Sequence, residues 1–266
     1  MGFPNIIYGK YGQEKKTQST TFGPPLGQKM VLPDGREFVH AKANTAAALG
    51  RGVPVVQKTV AGSVETSDNL AVVTDVAIGG TTVVLTMPAT TLCTIVDQYA
   101  GGFLSVNDST GAGYQYKIKY SSTAAAASTA TFTLEPTDPI LVALVAGTSE
   151  ATIRENPFFL VLNRAAGTGS VGMPAGVPNV AVSAGYFCWL QRKGEANLLS
   201  GGTIAIRGRP FACCTVEASF QAWNAQPSSG TTGAGTILSP VEEIWGYTMV
   251  TAAASTEYFP GFLTLR

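Results

Sequence analysis

Charge is what this sequence has least of. Only 13% of its 266 residues are Asp, Glu, Lys or Arg, and 17 basic residues balance 17 acidic ones. Soluble domains usually carry about 25% charged residues. A nucleic-acid binder needs a basic surplus against phosphate, so that class is excluded. Disorder is excluded too, because it needs low hydrophobicity and high net charge. A surface this poor in charge suits a protein packed against neighbours, since a small isolated domain usually carries net charge to stay soluble.

Long apolar runs are missing as well. Mean hydropathy is +0.19, yet the longest apolar run is residues 140–146 (ILVALVA), against roughly 18 for a spanning helix. No membrane segment is expected. The first twenty residues, MGFPNIIYGKYGQEKKTQST, lack the basic flank and apolar stretch of a secretory signal. Synthesis and residence in a cytosol follow as an expectation.

There is one histidine, His40, and four cysteines, Cys93, Cys188, Cys213 and Cys214, with no CxxC spacing. Scattered thiols and a single imidazole do not make a zinc site. The cysteines read as small buried hydrophobes. A Ser-His-Asp arrangement could draw only on His40, and no GxSxG is present. The nearest approach to paired carboxylates is Glu242–Glu243 and Asp97/Asp108, which suit solvated turns better than acid/base work. Gly167, Gly169 and Gly172 spell GxGxxG after a strand-like run, but Pro174 and Pro178 follow, and a dinucleotide fingerprint must open a helix. The sequon at Asn107 matters only in a secretory pathway. The expectation is no enzyme, no metal and no cofactor.

What is present is a β pattern. Short Val- and Thr-rich runs at 53–60, 69–76 and 81–87 are separated by Gly, Ser and Asp. Residues 114–120 (YQYKIKY) alternate cleanly, with Tyr114, Tyr116, Ile118 and Tyr120 expected on one face. Residues 129–134 and 140–146 continue the series. So do 158–162, 180–183, 186–191, 203–207, 212–218, 243–250 and 258–265. One short helix is expected at 91–100. A hairpin turn is expected at 192–195 (RKGE), and loops at 171–178 and 227–235. The fold class is all-β, a sandwich or barrel-like arrangement of many short strands. The expected organisation is an extended N-terminal arm over 1–42, a β domain over 43–155, and a second β domain or its continuation over 156–266.

The first 42 residues hold six basic groups and many Gly and Pro, with apolar residues in no helical period. Too apolar for a solvated tail, the segment reads as an arm lying on a partner; folding back on its own domain is the alternative. The expected partner contacts are Phe3, Ile6, Ile7, Tyr8, Lys10, Tyr11, Lys15 and Lys16. The lysines pair with an acidic partner or keep the arm solvated.

Four blocks carry a family resemblance: GYFCWLQRKGEANLL (185–199), IWGYTMVTAAASTEYFPGFLTLR (244–266), DQYAGGFLSVNDSTGAGYQYKIKY (97–120) and LEPTDPILVAL (134–144). They resemble tailed-bacteriophage virion proteins, some of which are capsid decoration, or cement, proteins. The departures are the paired Cys213–Cys214 and a C-terminal half richer in Trp and Phe. The resemblance implies a structural protein on the capsid surface of the virion. It would be made in the host cytoplasm, act as a homotrimer and bind the major capsid protein, with no nucleic acid or membrane as partner. Two further readings stay open. One is a head fibre or tail component. The other is a carbohydrate-binding or hydrolytic β-sandwich using Trp189 and Trp223.

Overall fold

The structure is a computed structural model and describes residues 6–19, 23–58, 66–89, 93–164, 172–201, 207–213, 219–222, 244–250 and 257–265. Seventeen strands and one short 3-10 turn make up its described regular structure, with no α-helix among the described residues. The all-β expectation holds, and one sheet is curled into a half-barrel. The chain forms two compact units. One combines Met1–Lys58 with Leu160–Arg266; the other is Thr59–Phe159, inserted between them. The expected divisions at 42/43 and 155/156 therefore give way to crossings at 58/59 and 159/160, and the two flanks belong to one unit.

In the discontinuous unit, β1 is Ile6–Tyr8, β2 Lys29–Val31, β3 Glu37–Lys42 and β4 Val55–Val56. The inserted unit holds β5 (Thr66–Ala71), β6 (Thr82–Thr86), β7 (Phe103–Asp108), β8 (Gln115–Ser121), β9 (Thr129–Leu134) and β10 (Glu150–Arg154). The first unit resumes with β11 (Leu162–Asn163), β12 (Pro174–Pro178), β13 (Phe187–Leu199), β14 (Pro210–Cys213), β15 (Phe220–Ala222), β16 (Gly246–Thr248) and β17 (Tyr258–Thr264). The inserted unit is one sheet in the order β5-β10-β7-β8-β9-β6. The other unit runs β1-β2-β3-β13-β17-β16-β14-β15, with β4, β11 and β12 branching from it.

Each unit buries its own core, as alternating strands require. Val83, Leu85, Leu104, Tyr116, Ile118, Phe132 and Ile153 fill the inserted unit. Leu198, Phe211, Phe220, Trp245, Phe259 and Leu263 fill the main core of the other, with edge-to-face contacts between Phe211 and both Phe220 and Phe259.

Several expectations fail for visible reasons. Residues 192–195 are not a turn. β13 runs straight through them, because β3 and β17 pair with it on either side. The irregularity there is a bulge, spanned by the buried Gln191 carboxamide, which donates to the Lys193 and Glu195 carbonyls at 3.2 and 2.8 Å. The loop expected at 171–178 contains β12, in which Gly176 (φ 145°) passes against the β13 backbone; a Cβ there would stand 2.8 Å from the Gln191 carbonyl. The helix expected at 91–100 is a run of turns over its described part. Val182 makes only an isolated bridge, as does Leu144 in 140–146. The single face expected for 114–120 breaks at a register shift between Ile118 and Tyr120, so Tyr120 faces out and Ser121 is buried. Residues 203–206, 214–218 and 227–235, expected as strand, strand and loop, lie outside the described residues.

Candidate functional site

The segment 1–42, expected as a free extended arm, folds onto its own unit over its described residues. β1 runs parallel to β2, β2 pairs with β3, and β3 pairs with β13. The reason is burial. Ile7 turns inward against Met30, Leu32, Phe38 and Trp189. The chain then passes over Met30 at Gly9, where a Cβ would lie 2.6 Å from the Met30 sulfur. Gly12 takes a left-handed conformation (φ 91°) that few other residues adopt readily. A 3-10 turn, Gln13–Lys15, follows and buries Glu14. The Glu14 carboxylate accepts from the Gly12 N–H at 2.6 Å and faces the Arg36 guanidinium at 3.9 Å.

This packing sorts the expected contact residues. Ile6, Tyr8, Lys10, Tyr11, Lys15 and Lys16 all remain exposed within eleven residues of chain, with Tyr8 84% and Tyr11 63% exposed. Ile7 is withdrawn into the unit, and Phe3 lies outside the described residues. No carboxylate partner is present for Lys10, Lys15 or Lys16 among the described residues. β1 ends the sheet order, so its outer side has no strand neighbour among the described residues. An open strand edge offers backbone N–H and C=O groups to another chain. Two tyrosines and three ammonium groups beside it add apolar contact and positive charge.

His40 stands behind this edge, on β3. Its ring stacks on Phe187 (5.6 Å, 13°) and leans on Trp189 (5.0 Å). Burial pushes its pKa down to about 4, against hydrogen bonding to the Pro24 and Pro25 backbones. Nδ1 has no partner. The one histidine is therefore a neutral packing group. Trp189 is spent on the same contact, so it offers no open stacking face; Trp245 is buried as well, and Trp223 lies outside the described residues.

The carboxylates singled out in the sequence serve the backbone. Asp97 accepts from the Ser121 N–H at 3.1 Å and Asp108 from the Ser109 N–H at 2.6 Å; Glu242 and Glu243 lie outside the described residues. Of the GxGxxG glycines, Gly172 leads into β12 and not into a helix, while Gly167 and Gly169 lie outside the described residues. Sequence reasoning missed a buried network in the inserted unit. Gln98 donates to Glu155 at 2.5 Å and accepts from the Thr94 N–H at 3.0 Å. Burial, with Glu155 adding to it, pushes the Cys93 thiol up to about 11, which leaves it inert. Among the described residues no three His, Cys, Asp or Glu side chains are grouped to hold a metal ion, and no helix is long and apolar enough to cross a membrane.

No protein-family model, no curated protein and no solved structure matches the chain at a significant level. The functional reading rests on the N-terminal edge and on the resemblance of the sequence blocks.

Proposed function

We propose that this chain is a capsid decoration protein of a tailed bacteriophage, which binds the assembled head and bridges neighbouring major capsid subunits. The observation that carries the proposal is the exposed β1 edge and, beside it, Tyr8, Tyr11 and three lysines that have no carboxylate partner among the described residues. Decoration needs contact chemistry of this kind and no catalysis. A strand of the capsid subunit adds to β1, the tyrosines bury against it, and Lys10, Lys15 and Lys16 face acidic groups.

The energetics favour multivalent use. Burying an aromatic or large aliphatic side chain stabilises by roughly 1.5–3 kcal/mol, so the two tyrosines give about 3–6 kcal/mol. Association costs about 4–15 kcal/mol, so one edge binds weakly. Because β1 is already ordered, the cost of roughly 1–2 kcal/mol per residue for ordering a free arm is avoided. In a homotrimer, three edges would act at high effective concentration. The reading therefore places the protein on the capsid surface as a trimer, binding shells well and free capsid subunits poorly.

The test is cosedimentation with undecorated heads. The double variant Tyr8→Ala/Tyr11→Ala should stay folded, since both side chains point outward, and should bind at least tenfold more weakly. Equal saturation of heads by the variant and the native protein would sink the edge as the contact. No binding of the native protein would sink the decoration reading itself.

A further inference from the structure

The outward face of the larger sheet carries an open groove of about 660 Å³, within the roughly 300–1,000 Å³ range of small-ligand sites. Its floor is β13 and β17, whose outward residues alternate with buried ones. Register sets Glu195 opposite Phe262, Phe262 opposite Tyr247, and Asn197 opposite Pro260. Such cross-strand neighbours stand about 4.5–5.5 Å apart at Cβ. Phe262 is 42% exposed, so an aromatic ring faces solvent beside a carboxylate. The Asp34–Arg36 turn also lines the groove. It can lie close because Gly194 (φ 92°) has no Cβ; one would stand 2.7 Å from the Arg36 Cγ.

The charges are disposed unevenly. Arg36 is held by Asp34 at 2.7 Å, and Lys193 faces Glu37 at 3.4 Å, which Lys29 also engages at 2.7 Å. Both cations of the groove are thus committed. The side chains of Glu195 and Asn197 have no hydrogen-bond or ion-pair partner among the described residues. A phosphorylated or sulfated ligand would meet Glu195 with no cation to spare. A metal ion would find a single free carboxylate. A neutral sugar fits better. Its hydroxyls donate to the Glu195 carboxylate in charge-assisted bonds, and the Asn197 carboxamide both donates and accepts. The C–H face of a pyranose lies on the Phe262 ring, with Pro260 beside it.

We infer that this groove is a binding site for a neutral glycan, with Phe262 as the stacking platform and Glu195 and Asn197 as the hydroxyl-binding groups. The site differs from the aromatic residues picked out in the sequence, and Tyr8 lies outside it, so it stands or falls separately from capsid binding.

The experiment screens the full-length protein against an array of neutral oligosaccharides that includes maltotriose, cellotriose and chitotriose. Calorimetry follows with the trisaccharide that binds best, and with trilysine for comparison. Glycan binding is expected, weakened at least tenfold in Glu195→Gln and in Phe262→Ala and unchanged in Tyr8→Ala. Glu195→Gln keeps shape and exposure, so it reads the site even if Phe262→Ala loosens β17. Absence of neutral-glycan binding would overturn the inference. So would binding that survives both groove variants, or Glu195-dependent binding of trilysine alone, which would mark the groove as a cationic-peptide site.

Discussion

Acidification should loosen the unit that contains His40, and His40 alone should account for the first part of the loss. The folded-state pKa of His40 is about 4 against 6.5 for the free group. At about 1.36 kcal/mol per pH unit, that gap corresponds to roughly 3 kcal/mol. The sign follows from proton counts. Between pH 4 and 6.5 the unfolded chain holds a proton that the folded chain does not, so stability is complete above 6.5 and declines as pH falls toward 4. Hydrogen bonding to the Pro24 and Pro25 backbones favours the imidazolium, but burial outweighs it. Phe187 and Trp189 face the ring from β13, Gly23, Pro24 and Pro25 lie over it, and Lys42, on its own strand, is a cation stacked over Phe187. The chain has no other histidine, and the Lys29 hydrogen bond holds the Glu37 carboxyl below its ordinary value. The window from pH 6.5 to 4.5 therefore isolates His40. Urea unfolding followed by tryptophan fluorescence should show a loss of about 2–3 kcal/mol across that window in the native protein. It should show less than about 1 kcal/mol in His40→Gln, whatever that variant's stability at pH 7. Equal slopes for the two proteins would refute the assignment of the acid sensitivity to His40.

Three other outcomes are expected. Gly102→Ala should destabilise the inserted unit by about 1–3 kcal/mol or more, because its Cβ would lie 2.0 Å from the Arg154 carbonyl oxygen; chemical unfolding of that variant measures it. Cys93 and Cys188, with thiols pushed up to about 11 and about 12 by burial, should resist a thiol reagent at pH 8 in the folded protein and label on unfolding, as peptide mapping would show. Replacing residues 59–159 by a short Gly/Ser linker should leave the discontinuous unit folded, because β4 pairs with β11 and brings the two chain crossings together; unchanged near-ultraviolet circular dichroism of the Trp189 and Trp245 environments is the readout.

The fold class was legible because period-two alternation and Gly/Pro punctuation act locally. The run 129–134 coincides with β9, and β17 covers nearly all of 258–265. What escaped depended on long-range pairing. RKGE at 192–195 has turn composition, and only the neighbours β3 and β17 keep it extended. β12 hides between two prolines, and becomes a strand because Gly176 allows close approach to β13. The alternation at 114–120 held for Tyr116 and Ile118, whereas Tyr114 is exposed ahead of β8 and a bulge in the pairing with β9 reversed the phase after Ile118. At the candidate edge, composition marked Tyr8, Tyr11 and the lysines as contact residues. It could not show that Ile7 and Gly9 pin the segment to Met30. The groove was invisible for the same reason, since Glu195 and Phe262 are 67 positions apart by their numbers (262 − 195) and meet only through the β13–β17 register.

A neutral chain need not have neutral surfaces, and the ion pairs of the larger sheet show how the two ends of its function would separate. Glu14, Asp34 and Glu37 are engaged by Arg36, Lys29 and Lys193, so these groups cancel within the unit. Of the other charges, Lys10, Lys15 and Lys16 stand at the β1 edge and Glu195 in the groove. Exposed charges are screened over about 8–10 Å at ordinary ionic strength. The edge should then bind an acidic partner more weakly as salt rises. The groove, if it holds an uncharged sugar through hydrogen bonds and ring contact, should be nearly indifferent to salt. Two surfaces on one sheet would thus answer to different partners under the same conditions, without any change in the fold that carries them.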